Sequence, residues 1–359
     1  MFGNSIKTGY YQKSYKLNTI SWEKARTWGI GIDASLFNAI DLSVDYYDRK
    51  TTGIIMDVPV PNEFALDAYK DNVGAMINRG VEVTLSYHKQ WGDWKFGATG
   101  NFAYNKNELL DLGGVDSMVD PNDKYKRRQV GARLNSFYAY KADGFFNSDE
   151  EAQAWMDKYA SQEGYPFGTN KFKGGDLIYQ DTNNDGKMTE DDRVLLGSTD
   201  PSWTFGLNLN AGYKGFDLSV MFSGAADVSR MFTQPGDFNG DMSRPTTAWL
   251  DAWTPENKDA KMPRVAYEKK SPSHPWNNMS SFWIQNASYV RLQNLQFGYT
   301  FPTEWLKALH IETLRVYYSA ENLFTIDNMM VNVDPESMDT NGYGYPRLRT
   351  HSFGVSLTF

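Results

Sequence analysis

Apolar and polar residues alternate with a period of two along many stretches of this chain. In the last nine residues, Phe353, Val355, Leu357 and Phe359 fall on one face, and the small or polar residues between them fall on the other. This period is typical of a β-strand with one apolar side. It predicts an all-β fold with strands at about 22–36, 39–50, 77–89, 92–106, 202–213, 215–224, 287–301, 313–323 and 351–359.

The predicted strand at 287–301 changes phase in its middle. Val290 and Leu292 share one face, and the alternation resumes one position late at Leu295 and Phe297. One extra residue in an antiparallel pair produces such a slip. We therefore predict a β-bulge at Gln293-Asn294.

The predicted strands suit a membrane-spanning sheet. About 9–11 tilted residues cross a bilayer as a strand, and many of the 22 Tyr, 21 Phe and 11 Trp residues lie near strand ends, as in the aromatic girdles of membrane barrels. No run of 18 apolar residues is present, so the sequence predicts no transmembrane helix. A large β-sandwich with an aromatic core remains the alternative.

Short and long connections alternate between the strands, the long ones at about 51–76, 107–201, 227–286 and 325–349. Outer-membrane barrels have short periplasmic turns and long extracellular loops, so the last strand should end in the periplasm. The stretch 107–201 must then cross the membrane an even number of times. We favour two crossings, Ser136–Phe146 and part of Gly174–Gly197, with no crossing as the alternative, so the chain contributes about 9–11 strands.

Charge and residue types exclude several kinds of function. A net charge of −8 argues against nucleic acid as a partner, and the basic run 124–128 is interpreted as a solvated loop. The chain has no cysteine, which excludes disulfides and thiolate sites, and its four histidines have no metal-ligand spacing. No catalytic motif is present, so we predict that the chain is not an enzyme.

The sharpest chemical motif is the loop 181–192, which has the spacing of a calcium-binding loop. The predicted ligands are Asp181, Asn183, Asp185, the main-chain carbonyl of Lys187, Thr189 (directly or through water) and Asp192. Gly186 permits the sharp turn, and Asp192 stands where glutamate is usual, which should weaken the site. The only cofactor expected is this structural calcium ion, and the alternative is a polar turn without an ion.

Four tryptophans lie in the predicted long connections: Trp249, Trp253, Trp276 and Trp283. Such side chains could stack on sugar rings or hold a partner. They could equally make a long loop compact by packing against each other. We favour packing for most of them.

A set of short blocks carries a family resemblance. They include Trp22-Glu23-Lys24, 45–52, 78–82, 136–146, 181–192, 213–219, 253–257, 287–292, 321–324, Asp334-Pro335-Glu336 and Tyr345-Pro346-Arg347. In sequence and order these blocks resemble SusC/RagA-type TonB-dependent outer-membrane transporters. The resemblance implies that residues 1–359 form the C-terminal part of a transmembrane β-barrel of about 22 strands. The N-terminal plug and a signal peptide are then expected to have no counterpart in this chain.

The resemblance also implies a function. The protein is expected to import nutrient oligomers, glycans before peptides, across the outer membrane of a Gram-negative, Bacteroidota-like cell. Expected partners are a SusD-like surface lipoprotein, the TonB complex acting through the missing N-terminal part, the cargo and outer-membrane lipid. Two alternatives stay open: a soluble β-rich carbohydrate-binding module and a secreted glycoside hydrolase.

Overall fold

Nine strands pair side by side in one antiparallel sheet, here called the wall, in the order β1-β2-β3-β4-β11-β12-β15-β16-β17. The strands are β1 (Lys24–Leu36), β2 (Ile40–Val58), β3 (Tyr69–Trp91), β4 (Trp94–Leu112), β5 (Ser117–Asp120), β6 (Asp123–Gln129), β7 (Ser136–Tyr140), β8 (Ala142–Phe145), β9 (Leu177–Tyr179), β10 (Arg193–Ser198), β11 (Trp203–Tyr213), β12 (Phe216–Ala226), β13 (Ser229–Met231), β14 (Ile284–Asn286), β15 (Tyr289–Thr300), β16 (Thr313–Asp327) and β17 (Thr350–Thr358). All nine predicted strands are confirmed.

The structure is a computed structural model that describes residues 12–13, 20–58, 60, 62–64, 66–67, 69–120, 123–169, 171–232, 247–266, 271–275, 277–330, 333–337, 345 and 347–359. Its helices are α1 (Asp149–Tyr159) and α2 (Thr303–Leu306), with short 3₁₀ helices at Asn62–Phe64, Glu190–Asp192, Thr247–Asp251 and Lys307–Leu309. Within these residues, no helix is long and apolar enough to cross a membrane.

Tight turns join neighbouring strands at one end of the wall. Lys214 and Gly215 connect β11 to β12 with φ angles of 45° and 90°, as a two-residue hairpin turn requires. A side chain at Gly215 would lie 2.6 Å from the carbonyl oxygen of Thr300. This is the short-turn end of the wall. The opposite end, where long connections leave the strands, is the loop end.

The wall has one apolar and one polar face. On β4, for example, Phe96 and Phe102 alternate with Lys95 and Asn101. In the described part of the chain no second layer covers the apolar face, and Phe353 on β17 is 85% exposed. Within the described ranges, the apolar face therefore has no protein partner.

Aromatic side chains border the apolar face at both ends. Trp94 stacks on Tyr213 at the short-turn end with ring centroids 4.2 Å apart, and Tyr104 lies 4.1 Å from Trp203 at the loop end. Trp94 and Tyr104 are ten residues apart on β4, about 33 Å along a strand and about 25 Å along the axis of a barrel whose strands tilt by about 40°. An apolar band of about 25 Å is typical of membrane barrels.

The two crossings favoured for 107–201 are wrong. β4 pairs directly with β11 from Trp94↔Tyr213 to Tyr104↔Trp203, which leaves no place between them for further wall strands. β7 has only five residues, too few to cross a bilayer. The alternative without crossings is confirmed, and the described residues contribute nine wall strands.

Two further features of the wall follow from its register. The pairing of β12 with β15 moves from Met221↔Asn294 to Phe222↔Leu292, which confirms the predicted bulge. β2 and β3 extend beyond their predicted ends and pair as far as Val58↔Tyr69. Most of the predicted long connection at 51–76 is therefore a hairpin that continues past the apolar band.

The described residues of two outer segments, 113–202 and 227–286, fold together as a cap at the loop end. β10, β7, β6 and β5 form a four-stranded sheet within it, and β8 pairs with β9. The Ser148 hydroxyl caps α1 by accepting from the N–H of Glu151, and the helix buries Ala152, Met156 and Tyr159 in an aromatic cluster.

The basic run 124–128 lies in β6 rather than in a solvated loop, and Arg128 pairs with Asp120 at 2.9 Å.

Candidate functional site

The polar face of β1–β4 contains an open cleft of about 580 Å³. Its lining is mainly polar: Thr27, Tyr47, Arg49, Thr51, Met76, Asn78, Glu82 and Asn105. The period of two along each strand turns these side chains to one side. The cleft thus offers amide, hydroxyl and charged groups on the face opposite the apolar band.

A chain of hydrogen bonds crosses this cleft towards the cap. The Tyr47 hydroxyl donates to Asn105 Oδ1 at 3.0 Å, and Asn107 Nδ2 donates to Asn78 Oδ1 at 2.9 Å. Asn107 Oδ1 accepts from the main-chain N–H of Leu134 at 2.7 Å. The polar face is therefore linked directly to the cap through Leu134, just before β7.

A buried carboxylate joins the two cap segments. Asp176 is 0% exposed, and it accepts from the hydroxyls of Ser271 at 2.5 Å and Ser273 at 3.2 Å. Arg264 pairs with the same carboxylate at 3.0 Å. These partners lie far away in sequence, so no local pattern could reveal the contact.

A second ionic cluster fixes the connection between β16 and β17 to the wall. Arg291 is 1% exposed and binds both oxygens of Asp334 at 2.8 Å and Glu336 at 2.6 Å. Arg347 contacts Asp334 at 3.2 Å and Glu336 at 2.7 Å. The sequence predicts Arg291 on a polar strand face, but not that its partners come from the last long connection.

The loop 181–192 folds through hydrogen bonds from its own side chains. Asp181 Oδ2 accepts from the N–H of Gly186 at 2.9 Å, and Asn183 Oδ1 accepts from the N–H of Asp185 at 2.9 Å. Gly186 has a φ of 79°, a conformation that glycine adopts without strain. The loop therefore has the turn geometry that its sequence predicts, with β9 and β10 as its flanking strands.

Asp192 has a structural role in this loop. It is fully buried, and its two oxygens accept from the N–H groups of Thr182 and Thr189 at 2.8 Å each. A bound ion would therefore share these oxygens with main-chain donors. The predicted ligand roles of Asp192, Thr189 and Lys187 stay predictions.

One carboxylate oxygen of the loop has no donor among the described residues. Asp181 Oδ1 is shielded from solvent, and no described group donates a hydrogen bond to it. A buried carboxylate oxygen needs a donor or a cation. Among the described residues, no three His, Asp or Glu side chains are grouped to hold a metal by themselves. An ion here would need the amide and main-chain oxygens that the loop spacing supplies.

The described tryptophans of the cap are packed rather than presented to solvent. Trp283 is buried and donates its indole N–H to the carbonyl of Ser273 at 2.7 Å. Trp253 is buried, and Trp249 packs against the same apolar cluster as Trp283. These three have the packing role that the sequence favoured, and Trp276 lies outside the described residues.

The family model for the TonB dependent receptor-like β-barrel matches residues 2–228. TonB-dependent receptor P3 of Formosa agariphila is 26% identical over an alignment that covers 99% of this chain and 36% of that protein. TonB-dependent receptor SusC of Bacteroides thetaiotaomicron is 27% identical, with 100% of this chain and 34% of SusC covered. The chain thus spans about a third of the length of these relatives.

Solved structures show the same wall. The RagAB peptide importer in its open-open state superposes with a TM-score of 0.71 at 25% identity, covering 97% of this chain and 36% of that one. The RagAB peptide transporter gives a TM-score of 0.69 at 26% identity, covering 94% of this chain and 36% of that one. The chain therefore belongs to the family of TonB-dependent receptor β-barrels.

Proposed function

We propose that this chain forms part of the wall of a TonB-linked importer in the outer membrane of a Gram-negative cell. The observation that carries the proposal is the uncovered apolar face, which two aromatic rows border about 25 Å apart along the barrel axis. An exposed apolar surface of this size would be a liability in water. It favours a membrane wall over a soluble carbohydrate-binding module, which would bury this face in a sandwich.

The proposed cargo is a nutrient oligomer, with glycans before peptides. The cleft on the polar face supports this because Tyr47, Asn78 and Asn105 present neutral donors and acceptors that match sugar hydroxyls. Arg49 and Glu82 at its rim could also bind a peptide, and the RagAB neighbours are described as a peptide importer. Energy would come through TonB, because the wall itself performs no chemistry.

The proposed partner at the loop end is a SusD-like surface lipoprotein. The cap supports this because it is a folded platform, joined internally by Asp176, rather than a set of loose loops. The cap would then present a defined surface to a covering protein.

Two measurements test the function. Cell fractionation should place the chain in the outer-membrane fraction, and recovery as a soluble monomer without detergent would contradict the membrane assignment. Titration of the detergent-solubilised chain with neutral oligosaccharides and with oligopeptides tests the cargo. We expect saturable oligosaccharide binding that Asn78→Ala and Asn105→Ala weaken, whereas exclusive binding of peptides would overturn the glycan proposal.

We also propose that the loop 181–192 binds one structural calcium ion. The unpartnered Asp181 Oδ1 supports this proposal. Equilibrium dialysis with calcium chloride alone should show one ion per chain with a Kd on the order of 10⁻⁴–10⁻³ M. Asp181→Asn should abolish the binding, and Asp191→Asn, at a position without a ligand role, should preserve it. No uptake at millimolar calcium would contradict the site.

A further inference from the structure

Basic side chains gather on the apolar side of β1–β4, just beyond the aromatic row at the loop end. Five cations have the alternation phase of the apolar face: Lys24, Arg26, Lys50, Arg79 and Lys106. Among the described residues, only two carboxylates, Asp48 and Glu108, share this area, which gives it a local charge of +3 in a chain whose net charge is −8. Solvent reaches all five cations.

The two carboxylates are already paired. Asp48 binds Arg79 at 2.7 Å, and Glu108 binds Lys106 at 3.3 Å. Among the described residues, Lys24, Arg26 and Lys50 make no ion pair with a side chain. Three cations of this group therefore have no neutralising carboxylate among the described residues.

The register places two of these free cations against each other. Arg26 on β1 is directly opposite Lys50 on β2, with Lys24 one same-face step further out. Like charges at facing positions of an antiparallel pair destabilise the sheet. An anion bound between them would remove this repulsion, and a guanidinium group matches the geometry of phosphate oxygens.

The position of the cluster identifies the kind of anion. Trp28, one same-face step inward from Arg26, packs against Tyr46 with ring centroids 5.4 Å apart, so the cations begin about 7 Å beyond the aromatic row. That is the level of lipid headgroups in the membrane orientation proposed above. At the loop end of the same face, β12, β15 and β16 carry Ala226, Val290 and Ile326 instead of cations.

We propose that Lys24, Arg26 and Lys50 form a docking site for the phosphate groups of an outer-leaflet glycolipid. This inference rests on the proposed membrane orientation, with long connections outside. The lipid would lie against β1–β4 with its acyl chains over Ile30 and Ile32, which are both exposed on the apolar face. Its phosphates would supply the negative charge that the described residues lack at this level.

The test uses the full chain in zwitterionic detergent and diphosphorylated lipid A as the probe. Binding is measured by native mass spectrometry for the unchanged chain and for the triple variant Lys24→Gln, Arg26→Gln, Lys50→Gln. We expect the triple variant to bind at least about tenfold more weakly, since each cation near an anionic headgroup layer contributes roughly fivefold. The control Lys89→Gln, on the same face at the short-turn end, should bind normally.

Two further arms separate the sources of phosphate. Dephosphorylated lipid A should bind at least about tenfold more weakly than the diphosphorylated form, and millimolar inorganic phosphate should not displace the bound lipid. Equal binding of both lipids, displacement by inorganic phosphate, or normal binding by the triple variant overturns the inference. The midpoint of thermal unfolding in detergent should be the same for the triple variant and the unchanged chain. Weaker lipid binding by the variant can then not be attributed to misfolding.

The outcome also separates this inference from the proposed function. If fractionation places the chain in the outer membrane but the triple variant retains full lipid affinity, only the glycolipid site fails. If the chain is not a membrane protein, both proposals fail together.

Discussion

The ring of Tyr47 lies over Gly80 on the neighbouring strand, and its hydroxyl donates to Asn105 one strand further on, at 3.0 Å. Gly80 faces Tyr47 in the β2–β3 register and Asn105 in the β3–β4 register. The absence of a side chain at Gly80 therefore allows one tyrosine to connect three strands on the polar face.

Gly80→Ala should destabilise the wall. The added methyl carbon would lie 2.5 Å from Tyr47 Cζ and would also meet the carbonyl oxygen of Tyr104. Overpacking of this kind costs about 1–3 kcal/mol, and the midpoint of thermal unfolding in detergent measures it. Gly97→Ala on the same face is the matched control, because its nearest neighbour would lie 3.8 Å away. Equal midpoints for the two variants would contradict the contact.

The wall could be predicted from the sequence because its chemistry repeats every second residue. Lipid-facing strands must show apolar residues at alternate positions, so even the slip at Gln293-Asn294 is visible as a change of phase. The extensions of β2 to Val58 and of β3 back to Tyr69 were missed, because beyond the apolar band no face needs to be apolar. The family also confirms that this chain is not an enzyme.

The cap could not be predicted from local pattern. Phe137 and Ala139 on β7 share one face as the apolar residues of a short membrane strand would, but they pack into a cluster with Met262 and Trp283. The hydrogen bond between Ser271 and Asp176, which joins the two segments of the cap, connects residues 95 positions apart. Periodicity carries no information about such partners.

Arg291→Met should free the last long connection from the wall. The substitution leaves Asp334 and Glu336 with Arg347 as their remaining cation, and breaking a buried ion pair costs about 3–5 kcal/mol. Limited proteolysis should therefore cut between β16 and β17 much faster than in the unchanged chain.

Arg315→Met provides the control for this experiment. Arg315 also pairs with a carboxylate, Asp217, at 3.0 Å, but both partners are partly exposed and lie near the short-turn end. A solvated pair is worth about 0–1 kcal/mol. Equal proteolysis of both variants would show that the Arg291 cluster does not hold the connection.

Asp176→Asn should loosen the two segments of the cap from each other. The amide keeps the size of the carboxylate but loses the charge that Arg264 binds at 3.0 Å in a buried site. Hydrogen exchange should rise around Ser271 and Ser273, while the wall strands stay protected. Asp143→Asn, at an exposed position of the cap, should leave exchange unchanged. Unaltered protection in the Asp176 variant would argue against a joining role.

The cap should lose stability in strong alkali. Burial raises the pKa of Tyr140 to about 12 and that of Tyr165 to about 12, whereas tyrosine in an unfolded chain titrates near pH 10. The folded cap holds these protons more tightly, so this stabilisation is complete below about pH 10 and is lost as the pH rises to about 12. Near-ultraviolet circular dichroism against pH measures the loss.

The double variant Tyr140→Phe, Tyr165→Phe should shift this alkaline transition to higher pH, because neither ring can then ionise. Tyr345→Phe is the control, since Tyr345 is exposed outside the cap. A transition that is identical in all three proteins would mean that other groups govern the alkaline unfolding.

We propose that one face of the wall meets lipid and the other meets water. The chain has no cysteine, so single cysteines can be introduced one at a time from position 98 to position 103 of β4 without a background label. Spin labels at these sites in bilayers report contact with oxygen in lipid and with a water-soluble nickel chelate. We predict oxygen contact at positions 98, 100 and 102 and chelate contact at 99, 101 and 103. Chelate contact at all six positions, or no alternation between them, would show that the wall does not separate lipid from water.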